Sequence, residues 1–269
     1  MMILLIVIGA ATFSQRQVVL DWLRVHSQPP LPQAVEHASV IASPSESEDE
    51  TISTDEEIVS APEAPGNDGA TPEAPVDEST LPASFNLAVP FTSQAPQGDW
   101  SAPYKESCEE ASVYMVHAFY QGMAQGSINP DVAADDLQKI VEFEKQLFGY
   151  YEDTTTDQTA TLAEAMYGYG EFELIEDPTI EQIKTHVATG RPVILPAAGR
   201  ELGNPFFTAP GPIYHMLVVR GYTADGRFIT NDPGTRRGEA YLYDFDTLMN
   251  AVHDWNGGDV LSGEQVMVV

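Results

Sequence analysis

Residues 211–243 read GPIYHMLVVRGYTADGRFITNDPGTRRGEAYLY, and their pattern predicts the central strands of the fold. The run 215–222 has the composition of a strand, residues 224–226 form a turn, and 227–231 return as the hairpin partner. In residues 240–243 every second side chain is a tyrosine, and this alternation predicts a further strand. Adjacent antiparallel strands lie side by side, so His215 at the start of the first strand is expected near Asp232, just after the second.

The chain on either side completes one mixed domain, residues 85–269. Helical periodicity and turn signals predict helices at 106–120, 132–148, 159–167, 179–189 and 245–254. Short apolar runs predict two further strands at 193–195 and 266–269. Because helices come first and antiparallel strands later, the pattern indicates an α+β fold and not a doubly wound parallel sheet.

The N-terminal residues 1–20 are interpreted as an apolar signal or membrane-anchor segment. The first thirteen, MMILLIVIGAATF, are apolar or small, and at about 1.5 Å per residue they are short for a full membrane crossing. A signal peptide normally has a Lys or Arg before its apolar run. None precedes this run, whereas Arg16 and Arg24 follow it. A buried strand or short helix is the alternative.

Residues 27–84 predict a disordered acidic linker rich in proline. The 58 residues contain nine prolines and no Phe, Trp or Tyr, and residues 41–80 contain 12 acids and no base. Such a segment cannot bury enough apolar surface to offset its chain entropy, so we expect few contacts with the domain. It is either a stalk between a membrane and the domain or a tail without a role.

The charge balance excludes several classes of function. The 269 residues carry a formal net charge of −29 and a sequence pI of about 4.2, which disfavours nucleic acid and anionic lipid as partners of the domain. A single cysteine excludes an internal disulfide and any site with several thiolate ligands. No metal motif or phosphate-binding glycine loop is present in the sequence, so no cofactor or metal is expected. We also expect a monomer.

Cys108 stands at the predicted start of the first helix, directly after Ser107. Ser107 and Glu110 have the spacing of a capping box. Backbone N–H groups and the helix dipole favour a thiolate at such a position, although a lone cysteine there is often only a small buried residue. Glu109 and Glu110 would raise the pKa of the thiol unless their carboxylates point into water.

A thiol nucleophile needs a base, a residue that orients the base, and a donor for the oxyanion. His215 and Asp232 lie on the hairpin described above, and Gln94 lies 14 residues before Cys108. Taken alone, the three are ordinary: a strand-end histidine, a turn aspartate before Pro-Gly, and a polar loop residue.

Together these residues resemble the papain-like cysteine peptidases of the double-glycine leader-peptidase type, and more closely the C39-like branch without a transporter. The resemblance rests on PFTSQAPQGDW (90–100), SCEEAS (107–112) and the hairpin stretch, and covers about residues 87–255. It implies a papain-like fold, with a helical half carrying Cys108 as nucleophile and a sheet half carrying His215 as base and acid. It also implies Asp232 as the orienting acid and Gln94 as the oxyanion donor.

The sequence departs from this family after the nucleophile, where many relatives read Cys-Gly-Pro-Ala and this chain reads Cys-Glu-Glu-Ala. We therefore expect a thiol hydrolase, acting on a peptide or other amide through an acyl-enzyme, in a bacterial-type extracytoplasmic location, secreted or tethered to the membrane. A non-catalytic cell-surface binding module with the same fold is the alternative. A cytoplasmic enzyme with an acidic tail is a third hypothesis.

Overall fold

The computed structural model describes residues 30–37, 81–170 and 172–269. The strands are β1 (Phe85–Asn86), β2 (Leu174–Glu176), β3 (Val193–Ala198), β4 (Tyr214–Tyr222), β5 (Arg227–Asn231), β6 (Tyr241–Asp244) and β7 (Val266–Val268). The α-helices are α1 (Cys108–Tyr120), α2 (Pro130–Phe148), α3 (Thr156–Tyr167), α4 (Ile180–Ala188) and α5 (Phe245–Ala251). Single 3-10 turns lie at Tyr104–Glu106 and Val260–Ser262.

The strands form one antiparallel sheet in the order β2-β7-β3-β4-β5-β6, with β1 paired to β4. The hairpin of β4 and β5 is the one predicted, with Val218 opposite Asn231 and Tyr222 opposite Phe228. The α+β prediction is confirmed. The five helices and the strands β3 to β7 lie where the pattern placed them, within a few residues at each end. The short strands β1 and β2 were not predicted.

Local chemistry explains where the helices begin. Asn129 accepts hydrogen bonds from the first-turn backbone N–H groups of α2, and Pro130 occupies the first helical position. Thr155 with Gln158, and Thr179 with Gln182, form complete capping boxes at α3 and α4.

Helix α1 lies between the sheet and the other helices. It packs on β4 and also contacts α2 and α3, and almost all of its side chains are buried, from Cys108 to Phe119. A helix buried on every side can hold a polar group only at a site where that group is paired or neutral. The start of α1 is therefore the place where the acidic residues beside Cys108 matter most.

Residues 33–37 fall inside the range predicted as linker, yet they contact the domain. The Val35 N–H donates to the Asn86 carbonyl at 2.9 Å, and the Ala88 N–H donates to the Val35 carbonyl at 2.8 Å. The His37 ring lies 5.3 Å from the Phe119 ring. The expectation of few contacts is wrong for this short segment, because its backbone adds a parallel bridge beside β1. Linker residues 27–29 and 38–80, and the segment 1–20, lie outside the described residues.

Candidate active site

Cys108 is the first residue of α1 and is 7% exposed. Ser107 precedes it as expected, but its hydroxyl donates to the Pro103 carbonyl at 3.2 Å and makes no cap hydrogen bond. The predicted capping box between Ser107 and Glu110 is therefore wrong. The Glu110 side chain is buried in the core instead of turning back to the helix start.

The Cys108 thiol contacts a carboxyl group and a backbone amide. Its Sγ donates to Oε2 of Glu109 at 3.0 Å, and the backbone N–H of Met216 in β4 lies against the sulfur. Burial raises the pKa of the thiol well above its ordinary value, and Glu109 and Glu110 raise it further, while the Met216 amide opposes them. In this geometry Cys108 is held as a thiol.

His215 and Asp232 meet as the hairpin predicted. The His215 Nε2 lies 2.8 Å from Oδ1 of Asp232, and both side chains are buried. The edge of the Phe207 ring covers the imidazole, with ring centroids 5.3 Å apart. Because Nε2 faces a carboxylate, the hydrogen-bond network assigns the proton of the neutral ring to Nε2 and leaves Nδ1 as its basic nitrogen.

The Asp232 carboxylate is held by donors that the sequence analysis did not identify. The Tyr243 hydroxyl and the Asn204 amide donate to Oδ2 at 2.6 and 2.9 Å, and the Gly234 N–H donates to Oδ1 at 2.9 Å. Burial alone would raise the pKa of Asp232, but His215, the Tyr243 hydroxyl and the Gly234 N–H outweigh it and hold the pKa below its usual value. Asp232 is thus ionised and fixed in place. The alternation of aromatic residues predicted only that Tyr243 lies in a strand, and did not predict its contact with Asp232.

Two glycines allow the loop after β5 to approach this pair closely. A Cβ on Gly238 would overlap the Asp232 carbonyl, and a Cβ on Gly234 would lie 2.8 Å from Cε1 of His215. Any side chain at either position would displace the loop, since real Cβ atoms do not approach so closely. These glycines are further residues on which the site depends.

Gln94 bridges the Cys108 side and the Asp232 side of the site. Its Nε2 donates to the carbonyl of Tyr104, four residues before Cys108, at 3.0 Å, and its backbone N–H donates to the Pro233 carbonyl at 2.9 Å. The side chain is 4% exposed. The carboxamide is therefore fixed on the turn that leads into α1, with its second N–H left for another acceptor.

The structure brings His215 and Asp232 together and places Cys108 against the residue that follows His215. Among the described residues, no hydrogen bond joins the Cys108 thiol to His215, because the thiol is directed to Glu109. The elements agree with the papain-like prediction, since a helix carries the cysteine and packs on the strand that carries the histidine.

The family model described as "Peptidase_C39 like family" matches residues 86–257. The chain belongs to this family. The C39-like resemblance inferred from the sequence is confirmed. A crystal structure of a candidate C39-like peptidase from Bacillus anthracis is similar at 15% identity and a TM-score of 0.45, covering 69% of this chain and 97% of that one. No curated protein matches the chain.

The two glutamates that distinguish this C39-like chain are buried, contrary to the favourable case in which they point into water. Glu109 and Glu110 are 1% and 0% exposed, and Glu144 of α2, also 0% exposed, lies against Glu110. Burial raises the pKa of Glu109 to about 8 and that of Glu144 to about 7, and it also raises the pKa of Glu110. At neutral pH this acidic cluster retains protons, which limits the negative charge beside the thiol.

In the described part of this C39-like chain, no helix is both long and apolar enough to cross a membrane. Within residues 30–37, 81–170 and 172–269, no group of three or more His, Cys, Asp or Glu side chains is arranged to hold a metal ion.

Proposed function

We propose that this protein is a cysteine hydrolase, acting as a peptidase on peptide or amide bonds through an acyl-enzyme. The observation that carries the proposal is the His215–Asp232 pair at 2.8 Å, fixed by buried donors beside the helix that begins with Cys108. A neutral histidine oriented by an ionised carboxylate is the base that a cysteine nucleophile needs.

Each residue has a defined part in this reaction. Nδ1 of His215 takes the Cys108 proton, and the resulting thiolate attacks the carbonyl carbon of the scissile amide. The tetrahedral oxyanion accepts a hydrogen bond from Gln94, and His215 then gives its proton to the leaving amine. Water, deprotonated by His215, hydrolyses the thioester and restores the thiol, while Asp232 stabilises the imidazolium throughout.

The proposal requires the thiol to turn from Glu109 towards the histidine. Rotation about the Cys108 Cα–Cβ bond, between staggered positions that a cysteine side chain commonly occupies, would redirect the thiol. Catalytic hydrogen bonds are often unformed before substrate binds. A substrate that enters beside His215 would supply the reason for the thiol to move.

The test uses the full chain and a matched set of variants. Wild-type protein is incubated with a peptide library and with iodoacetamide, and products are identified by mass spectrometry. Cleavage and labelling at residue 108 in wild type, both absent in Cys108→Ala, are the expected result. His215→Ala is expected to lose cleavage while retaining the fold, as judged by circular dichroism. Cleavage by Cys108→Ala at the wild-type rate would refute the thiol mechanism.

A non-catalytic binding module is the second candidate, and the contact between the Cys108 thiol and Glu109 favours it. A buried thiol with a raised pKa is a poor nucleophile. If this candidate holds, native Cys108 resists iodoacetamide near pH 7 to the same degree in wild type and in Asp232→Ala. The hydrolase predicts slower labelling in Asp232→Ala, because a misoriented His215 no longer removes the proton.

The location is part of the proposal. We propose an extracytoplasmic monomer, secreted or tethered to a membrane through residues 1–20, that acts without a cofactor. Fractionation of bacterial cells that express the full chain should find it with membranes or outside the cytoplasm, and a chain lacking residues 1–20 should remain in the cytoplasm. Finding both chains in the cytoplasm would contradict the proposed location.

A further inference from the structure

Most basic side chains of this acidic domain are already neutralised. Six lysines and arginines form ion pairs with nearby carboxylates: Lys105, Lys139, Lys145, Lys184, Arg191 and Arg227. Arg220 is fully buried and donates to Asn86 and to the Val89 carbonyl, so its role is structural. Three arginines remain.

Arg200, Arg236 and Arg237 are exposed, and among the described residues none has a carboxylate within ion-pair distance. Glu201 and Glu239 lie in the same loops without pairing to them. Arg200 lies in the loop between β3 and β4 that leads to His215. Arg236 and Arg237 lie in the loop between β5 and β6, which begins with Asp232.

Contacts join these loops to the candidate active site. The Arg237 guanidinium lies 4.8 Å from the centroid of the Phe206 ring, and the next residue, Phe207, covers the imidazole of His215. The Arg200 Nε donates to the Gly211 carbonyl at 3.5 Å, on the segment just before β4. The Arg236 guanidinium lies beside Gly98, in the loop that carries Gln94.

The unpaired positive charge of the domain is therefore gathered on the loops around His215, Asp232 and Gln94. An exposed arginine without a carboxylate partner is available to bind an anion, and its planar fork matches a carboxylate in particular. The chain carries a net charge of −29, so its overall field opposes the approach of an anionic ligand, and only local cations can favour binding. Local positive charge next to the reacting groups would select substrates by charge.

We propose that Arg200, Arg236 and Arg237 form a specificity surface that binds acidic side chains of a peptide substrate beside His215 and Asp232. This inference rests on the proposed peptidase function, and it adds the substrate class: peptides with Asp or Glu close to the scissile bond. The acidic side chains accept hydrogen bonds from the guanidinium groups, and no covalent step is added to the reaction.

The test measures binding separately from turnover. Full-length Cys108→Ala is titrated, with fluorescence anisotropy as the readout, against labelled peptides that are acetylated and amidated at their ends. The peptides are identical except for Asp and Glu, their Asn and Gln counterparts, or Lys. Each exposed ion pair changes affinity by about two- to fivefold, so the acidic peptide should bind about tenfold more tightly than the neutral one at low salt. High salt should remove most of the difference.

Charge reversal identifies the residues responsible. Arg236→Glu combined with Arg237→Glu should abolish the preference, and Arg200→Glu should reduce it. Lys139→Glu combined with Lys145→Glu changes the net charge equally at one exposed and one half-buried position of α2, and should leave the preference intact. Arg236→Gln with Arg237→Gln, checked by circular dichroism, replaces the reversal if that variant misfolds. Equal affinity for all peptides, or equal losses in both pairs of variants, would overturn the inference.

The two proposals fail in different ways. If Cys108→Ala binds acidic peptides selectively but wild type cleaves none, the peptidase proposal fails and the binding surface stands. If wild type cleaves peptides through Cys108 without regard to acidic residues, the specificity surface fails and the peptidase proposal stands.

Discussion

Glu109→Gln should change the reactivity of Cys108 in a way that depends on pH. The Glu109 carboxyl accepts a hydrogen bond from the Cys108 thiol at 3.0 Å, and burial raises the pKa of this carboxyl to about 8. Glutamine has nearly the same shape but never ionises. An ionised carboxylate disfavours a thiolate beside it, so Glu109 suppresses ionisation of the thiol above the carboxyl pKa and not below it.

The magnitude follows from the geometry. Two unit charges about 4 Å apart repel by about 4 kcal/mol at an effective dielectric constant of about 20, which makes the doubly ionised pair rare. At pH 9 about nine-tenths of the Glu109 carboxyls are ionised, so a thiolate can form only in the remaining tenth of the molecules. Glu109→Gln should therefore alkylate about tenfold faster than wild type at pH 9, and at nearly the wild-type rate at pH 7.

The assay follows iodoacetamide labelling of Cys108 by intact mass from pH 6 to pH 9.5. Wild type should reach a plateau near pH 8, whereas Glu109→Gln should continue to rise. Glu142→Gln, at an exposed position of α2, is the matched control and should behave like wild type. Identical profiles for wild type and Glu109→Gln would refute the coupling. A large loss of labelling in Glu109→Gln at pH 7 would instead make Glu109 the base that removes the thiol proton.

Three further outcomes are expected. Asp232→Asn should lower kcat/KM for peptide cleavage by about a hundredfold or more, because an amide can stabilise the wrong tautomer of His215. Activity within a factor of a few of wild type would contradict the orienting role of Asp232. Because Glu144 has a folded-state pKa raised to about 7, its own contribution to stability should fall by about 3 kcal/mol as the pH rises from about 4.5 to about 7. Glu109 and Glu110 add to the same decline, so Glu144→Gln should make it shallower in thermal melts without removing it. Deleting residues 1–37 should lower Tm relative to deleting 1–32, because only the longer deletion removes the bridge beside β1, and equal Tm values would show that the bridge contributes nothing.

Local patterns were sufficient for most of the fold. Helices such as α2 and α4 are predicted by the spacing of their apolar residues and by the residue that ends each helix, and both signals lie within one segment of chain. The strands β1 and β2 have two and three residues, too few to show a period, so only pairing with β4 and β7 makes them strands. The bridge at Val35 joins residues about fifty positions apart, a distance over which no sequence pattern operates.

The candidate site divides in the same way. The hairpin pattern is sufficient to predict that His215 and Asp232 meet, because a short turn aligns the two strands, and helical periodicity is sufficient to place Cys108 in the first turn of a helix. The other features of the site depend on packing between distant segments. Asn204 contacts Asp232 from the loop after β3, and Tyr243 contacts it from β6. Glu109 is buried because α1 is enclosed by the sheet and by other helices. Burial, and the pKa values that follow from it, depend on what packs against a residue, which its neighbours in sequence do not specify.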